Sequence, residues 1–382
     1  MRRSILVVLI VVLAAACSPR AEFRMVPEAA RDAGQDGGQN GAPESAEVPV
    51  FVGTTRAPDP ETGEPFSWKR APRLRYARFD VEVPRDRAPG EIPVPARGRP
   101  ADPERHFVLG DAQVYPAAPA FRASLSKALA ARGGEAVIYV HGFNNTMAEG
   151  VYRMAQLAHD LQLPGVFVHY AWPSRAHVMG YAYDRDSMMV SRDGFEGLLR
   201  ELRAAGARRV VILAHSMGSA LTMEVLRQIS LQGDDALLRR ISGVVLISPD
   251  LDVDLFRSQS LRAGWLPRPF VIFTSQRDRA LQLASRLSGE GERLGNLSDV
   301  ERVADLPVTV VEVGAYSSGD GHFTPGNSPA LLALLKHGGE LNAALATEAS
   351  GRTGLVPGVV LTVRDATRIV LSPVGGMVGL TP

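Results

Sequence analysis

Among 382 residues there is a single cysteine, Cys17. An internal disulfide is thereby excluded, and so are the paired-cysteine spacings of structural zinc sites. The chain also lacks an HExxH pair and a Gly-rich phosphate loop, so no metal and no organic cofactor is expected. Charge of one sign is missing too: Lys and Arg number 42 against 41 for Asp and Glu, which leaves no basic excess with which to hold nucleic acid. What is present is ordinary, with 45% hydrophobic and 22% charged residues over a length that suits one large globular domain with additions.

The N-terminal apolar run, the twelve residues 5–16 (ILVVLIVVLAAA), falls short of the roughly 20 that a bilayer span needs. Preceded by the basic start MRRS, it reads as a secretory signal rather than as part of the fold. LAAAC followed by Ser18 resembles a bacterial lipobox, in which Cys17 is diacylated and becomes the mature N-terminus. Leu13 lies four residues before the cysteine rather than the usual three, and Ala14 fills the leucine slot. Cleavage after Ala14, Ala15 and Ala16 is the competing reading, which would release a soluble periplasmic protein; an uncleaved anchor is a third. The expectation is a signal peptide with lipobox over 1–17 and a protein of the bacterial cell envelope. Its lipid anchor would hold it to a membrane, the outer one, facing the periplasm. Residues 18–47, which include RDAGQDGGQNGAPESAE, are too poor in apolar surface to fold. They are read as a flexible tether with a reach on the order of 30 Å.

From about residue 48 the composition becomes domain-like. EVPVFVGTTR, RLRYARFDVEVP and HFVLGDAQVYP read as strands, and FRASLSKALAARGG as a helix stopped by Gly133 and Gly134. From residue 135 short runs rich in Val, Ile and Phe recur: EAVIYVH, GVFVHYAW, RRVVILAH, ISGVVLIS, PFVIFTS and LPVTVVEV. Helical periodicity separates most of them, as in Val151, Met154, Ala155 and Ala158, and again in Phe195, Leu198, Leu199 and Leu202. Such alternation implies βαβ crossovers, an α/β class and a mostly parallel central sheet with helices on both faces. The domain is expected over 48–344. Residues 345–382 form an extension without an assigned role, in which GVVLTV and RIVLS either pair as a hairpin or lie loosely on the domain.

One turn carries chemistry. VVILAHSMGSAL resembles the GxSxG nucleophile elbow, with Ala214 in place of the first glycine. A strand precedes Ser216, and Leu221, Val225 and Ile229 mark one face of a helix after it, which is the context an elbow requires. The alternative is a serine capping that helix. A nucleophilic serine needs a base, and the base an orienting acid, here in the chain order Ser, acid, His. Asp278 follows the strand PFVIFTS, and His322 lies on the loop after LPVTVVEV. Asp250, Asp252 and Asp254 rival Asp278 one strand earlier, and Asp320 reads as a loop residue. His141 and His215 abut motifs at strand ends and are expected to shape turns; His106, His159, His169, His177 and His337 belong to surfaces or packing. Two backbone N–H groups are the candidate oxyanion donors: Met217, directly after the serine, and Phe143, in the loop HGFNN. Asn144 or Asn145 could add a side-chain donor or merely close the turn.

With these residues assembled, the chain resembles the α/β-hydrolases. More narrowly, it is similar to a family of uncharacterised bacterial hydrolases and lipoproteins with an esterase/lipase-like core. VFVGTTR, RFDVEVPRDRAPGEIP, YVHGFNN, YAWPSR, GYAYDRDS, LAHSMG, SPD, Gly321 and His322 carry the likeness, over about residues 48 to 337. The resemblance implies the α/β-hydrolase fold and a triad of Ser216, Asp278 and His322. It also suggests Trp172 as a pocket wall, with packed core residue as the alternative, and places Asn144 and Tyr181 among the pocket candidates. Tyr183, Asp184 and Asp186 open a helix beside them, where the two aspartates could simply cap it.

The expected activity is cleavage of carboxylic ester or thioester bonds through an acyl-enzyme, on a small-molecule or lipid-like acyl substrate. An acyltransferase with the same triad is the first alternative. A non-catalytic envelope lipoprotein that uses the hydrolase fold for binding is the second.

Overall fold

Val, Ile and Phe dominate the short strand runs because a strand covered on both faces has no solvent side on which to place polar residues. The computed structural model describes residues 20–26, 46–96, 98–288, 292–316, 321–336, 358–363 and 366–371. The signal segment with Cys17, residues 27–45, Asp320 and His337 lie outside the described residues. The chain divides into two compact units, one of residues 1–159 and 163–210, the other of residues 160–162 and 211–382.

In the first unit the strands are β1 (Ala46–Pro58), β2 (Phe66–Val83), β3 (Val108–Tyr115), β4 (Glu135–Val140) and β5 (Val166–Ala171). Their spatial order is β4-β5-β1-β2-β3. β4, β5 and β1 run parallel, whereas β2 and β3 turn back as an antiparallel meander. The helices are α1 (Ala118–Ala131), α2 (Met147–Asp160), α3 (Tyr181–Val190) and α4 (Arg192–Ala204). The periodic residues of α4, Phe195, Leu198, Leu199 and Leu202, are all buried, each contributing about 1.5–3 kcal/mol of apolar burial. Gly53 on β1 lies under Leu198, where a Cβ would stand 2.8 Å from its methyl carbons, so the helix approaches closely only because the side chain is absent.

The second unit holds β6 (Arg209–His215, from Val211 on), β7 (Ile241–Ile247), β8 (Phe270–Thr274), β9 (Thr309–Glu312), β10 (Gly358–Val363) and β11 (Ala366–Leu371). Their order is β6-β7-β8-β9-β11-β10, with β7, β8, β9 and β11 parallel and β10 antiparallel to β11. Helices α5 (Met217–Leu231), α6 (Asp235–Leu238), α7 (Val253–Ala263), α8 (Arg279–Ser288), α9 (Thr324–Asn327) and α10 (Pro329–Lys336) follow in the chain. The fold is that of the α/β-hydrolases, with mostly parallel strands and intervening helices.

Two segments depart from expectation. GVVLTV and RIVLS do pair as a hairpin, and β11 adds itself to β9 with Ile369 and Leu371 buried, so this part of the supposed extension completes the sheet. Residues 20–26, read from composition as tether, are instead pinned to the first unit. Phe23 stacks on Phe79, and Met25 bridges to Leu109, because this short stretch carries the apolar side chains that the glycine-rich part lacks.

Candidate active site

The strand β6 ends in a turn whose backbone is strained at one residue. Ser216 has φ 51° and ψ −120°, a region that a side chain disfavours by about 1–3 kcal/mol. Its N–H donates to Ile247 O at 3.0 Å, at the end of β7, and its carbonyl accepts from Ser219 N–H at 3.0 Å. Ser219 Oγ closes the turn onto Ala214 O at 3.0 Å, with Ala214 fully buried in the slot where a glycine was expected. The hydroxyl of Ser216 makes no capping bond to α5, which removes the reading of this serine as a helix cap. Met217 N–H, at the first position of that helix, has no acceptor among the described residues.

After β8 the chain turns at Ser275 and reaches Asp278, whose side chain is completely buried. Its two oxygens are divided: Oδ1 accepts from Leu281 N–H at 3.0 Å, capping α8, and Oδ2 lies 2.8 Å from His322 Nδ1. A carboxylate can only accept, so the proton between them sits on His322 Nδ1. Gly321, with φ 73°, makes the turn that presents this ring. His215 packs its ring 4.7 Å from that of His322 and 4.6 Å from Phe323, and its Nε2 stands 3.3 Å from His322 O. His215 thus packs against the segment that carries His322.

The rival acids are engaged elsewhere. Asp250 pairs with Arg293 Nε at 3.3 Å, both side chains almost wholly buried, and Asp252 caps α7 through Asp254 and Leu255 N–H. Asp254 accepts from Arg302 at 3.0 Å. Glu312 went unnoticed in the sequence: Oε2 accepts from Thr274 Oγ1 at 3.0 Å and Oε1 from Gly314 N–H at 2.9 Å. It ties the end of β8 to the start of the loop that carries His322. A lone glutamate within the apolar run VVEV was the available signal.

In the first unit, β4 delivers the loop HGFNN. Asn144 takes φ 60°, which an asparagine tolerates, with its N–H on Asp184 Oδ2 at 3.1 Å. Asn145 N–H donates to Ser174 Oγ at 3.0 Å, and Ser174 Oγ–H in turn to Asp184 Oδ2 at 2.6 Å. Arg56 donates to Asn145 O at 2.9 Å and to Trp172 O at 3.1 Å. Burial pushes this guanidinium down to about 10, still charged at neutral pH, against the pull of Asp184 and Glu149. Burial likewise raises the Asp184 carboxyl, while its hydrogen bonds from Ser174, Arg175 and Asn144 act the other way. Phe143 N–H has no acceptor among the described residues. Asp184 and Arg56 therefore fasten this loop, a role that a helix-capping reading of Asp184 missed. Arg56 closing the strand GTTR was its only trace in the sequence.

The pocket candidates separate. Trp172 is fully buried, stacks on His141 at 4.6 Å and donates from Nε1 to His141 O at 2.9 Å, so it is a core residue and not a pocket wall. Asn144 spends its backbone on the turn. Tyr181 is half-buried with its ring edge-on to Phe143 at 5.4 Å. Among the described residues no cluster of three or more His, Cys, Asp or Glu could hold a metal ion, and no helix is long and apolar enough to cross a membrane.

Comparison with solved structures finds Aspergillus fumigatus lipase B at 17% identity and a TM-score of 0.33, covering 58% of this chain and 53% of the lipase. The match thus spans about half of the lipase's length. A cutinase-like protein from Cryptococcus sp. aligns at 12% identity and a TM-score of 0.32, covering 58% of this chain and 96% of that one. No curated protein matches the chain. The family model described as alpha/beta hydrolase of unknown function (DUF900) matches residues 117–331, a span that includes Phe143, Ser216, Asp278 and His322. The chain belongs to this family of alpha/beta hydrolases.

Proposed function

We propose that the protein is a serine hydrolase that cleaves carboxylic ester or thioester bonds through an acyl-enzyme. Ser216 Oγ attacks the carbonyl carbon while its proton passes to Nε2 of His322. Asp278 keeps the other proton of the ring on Nδ1 and stabilises the imidazolium that forms. Met217 N–H receives the oxyanion. The tetrahedral intermediate collapses, the leaving alkoxide or thiolate takes the proton from His322, and water attacks the acyl-serine by the same route. Cys17 is assigned as the lipid attachment site of a cell-envelope protein.

The observation that carries this reading is the backbone of Ser216, strained at φ 51° while its hydroxyl caps nothing, in the unit that also holds His322 on the buried Asp278. A fold keeps such strain where the geometry is used. Turnover of short- and long-chain esters, thioesters and amides by wild type and Ser216→Ala tests it. Ester or thioester hydrolysis should fall by about 10³-fold or more in the variant. Undiminished hydrolysis would overturn the assignment.

A further inference from the structure

The last residue of β9, Glu312, carries a buried carboxylate that forms no ion pair among the described residues. Both of its oxygens are taken by neutral donors, Thr274 Oγ1 at 3.0 Å on Oε2 and Gly314 N–H at 2.9 Å on Oε1. Gly314 has no room for a side chain: a Cβ there would stand 2.6 Å from Oε1 and 3.3 Å from Ser275 Oγ. The sheet does not need these bonds. β8 and β9 already pair in register from Val271 to Thr274, and Val313 N–H extends the pairing to Thr274 O at 2.9 Å. An apolar side chain would close this end of the sheet without the cost of taking a carboxylate out of water.

What the carboxylate adds is a hold on the segment that follows β8. Thr274 leads directly into Ser275, whose N–H donates to Gly295 O at 2.8 Å and whose carbonyl accepts from Asn296 Nδ2 at 2.8 Å and from Asp278 N–H at 3.2 Å. Ser275 Oγ accepts from Arg277 N–H at 3.2 Å. The turn that carries Asp278 therefore hangs from Ser275, and Glu312 fixes the residue before it. All of these residues, with Ser216 and His322, belong to the second unit.

We propose that Glu312 is a positioning residue of the hydrolase, which through Thr274 and Ser275 sets the distance and angle at which Asp278 meets His322. This role rests on the hydrolase reading above, in which Ser216 attacks and His322 takes its proton. Glu312 acts by hydrogen bonding and not by charge, since its partners are neutral. Glutamine preserves the pattern: its oxygen accepts from Gly314 N–H and its amide donates to Thr274 Oγ1.

The test follows p-nitrophenyl butyrate hydrolysis against pH, and the rate of fluorophosphonate labelling at Ser216, in the full-length protein and in Glu312→Ala, Glu312→Gln and Thr274→Val, each corrected for its folded fraction. Glu312→Ala should lower kcat about 10- to 100-fold with KM within about twofold, and labelling should slow in parallel. A carboxylate bonded to the ring favours the imidazolium, so loosening it should also move the acid limb of kcat/KM to lower pH. Thr274→Val, which removes only the hydroxyl, should repeat both changes and decides the matter if the alanine variant does not fold. Glu312→Gln should recover most of kcat and the wild-type limb. Folded alanine or valine variants with wild-type kcat and acid limb, or a glutamine variant as impaired as alanine, would overturn the proposal and leave the hydrolase reading intact. Wild type that neither hydrolyses the ester nor takes the label would overturn the hydrolase reading, and this role with it.

Discussion

Asp278 Oδ2 lies 2.8 Å from His322 Nδ1, joining two side chains 44 residues apart in sequence. Asp250, one of the three rival acids, pairs with Arg293. Asp278→Asn should cut ester turnover by about 10³–10⁴-fold with the fold retained, because the amide oxygen can still cap α8. Asp250→Asn should do the reverse, costing about 3–5 kcal/mol of stability by removing the negative charge that faces the buried Arg293 guanidinium, while folded molecules keep their turnover. Turnover and urea unfolding of both variants check the pair.

Relieving the strain at Ser216 should stabilise the protein as it abolishes activity. Glycine accepts φ 51° without penalty, so Ser216→Gly is expected to gain about 1 kcal/mol over wild type in urea unfolding. Ser216→Ala, which retains a Cβ, should gain less.

Trp172 should matter to stability and not to substrate choice. Its ring is wholly enclosed against His141, so Trp172→Ala is expected to cost about 3–5 kcal/mol. The ratio of short- to long-chain ester turnover should stay unchanged.

Acid should loosen the first unit through its buried histidines. Burial pushes His169 down from the ordinary 6.5 to about 3, and His141 is also held well below its usual range by burial and by Arg56. The unfolded chain takes up a proton at each as pH falls below about 6.5, while the folded state does not. The His169 contribution is therefore full above that value and is lost as pH drops towards 3, by about 1.4 kcal/mol per pH unit, and His141 acts in the same direction. Asp184, raised by burial, opposes this over the lower part of the window. His169→Gln should flatten the pH dependence of the urea midpoint; an unchanged slope would contradict this account.

Strand and helix periodicity carried the fold because each buried run has one dominant period: β6 to β9 and the apolar faces of α2, α4 and α5 all lie where it put them. Ser216, Asp278 and His322 could be nominated from the sequence because each follows a strand in a fixed chain order. Arg56, Asp184 and Glu312 could not, since their partners, Asn145 O, Asn144 N–H and Gly314 N–H, are mostly backbone groups brought near by tertiary structure. Composition misjudged residues 20–26 because a strap of this length is set by the surface it meets, here Phe79, Leu109 and Asn144.

The most direct measurement of the central claim is mapping a fluorophosphonate adduct by peptide mass spectrometry. The account predicts one adduct, on Ser216, lost in Ser216→Ala and strongly slowed in His322→Ala. A folded wild-type protein that takes no adduct, or takes it at another serine, would contradict it.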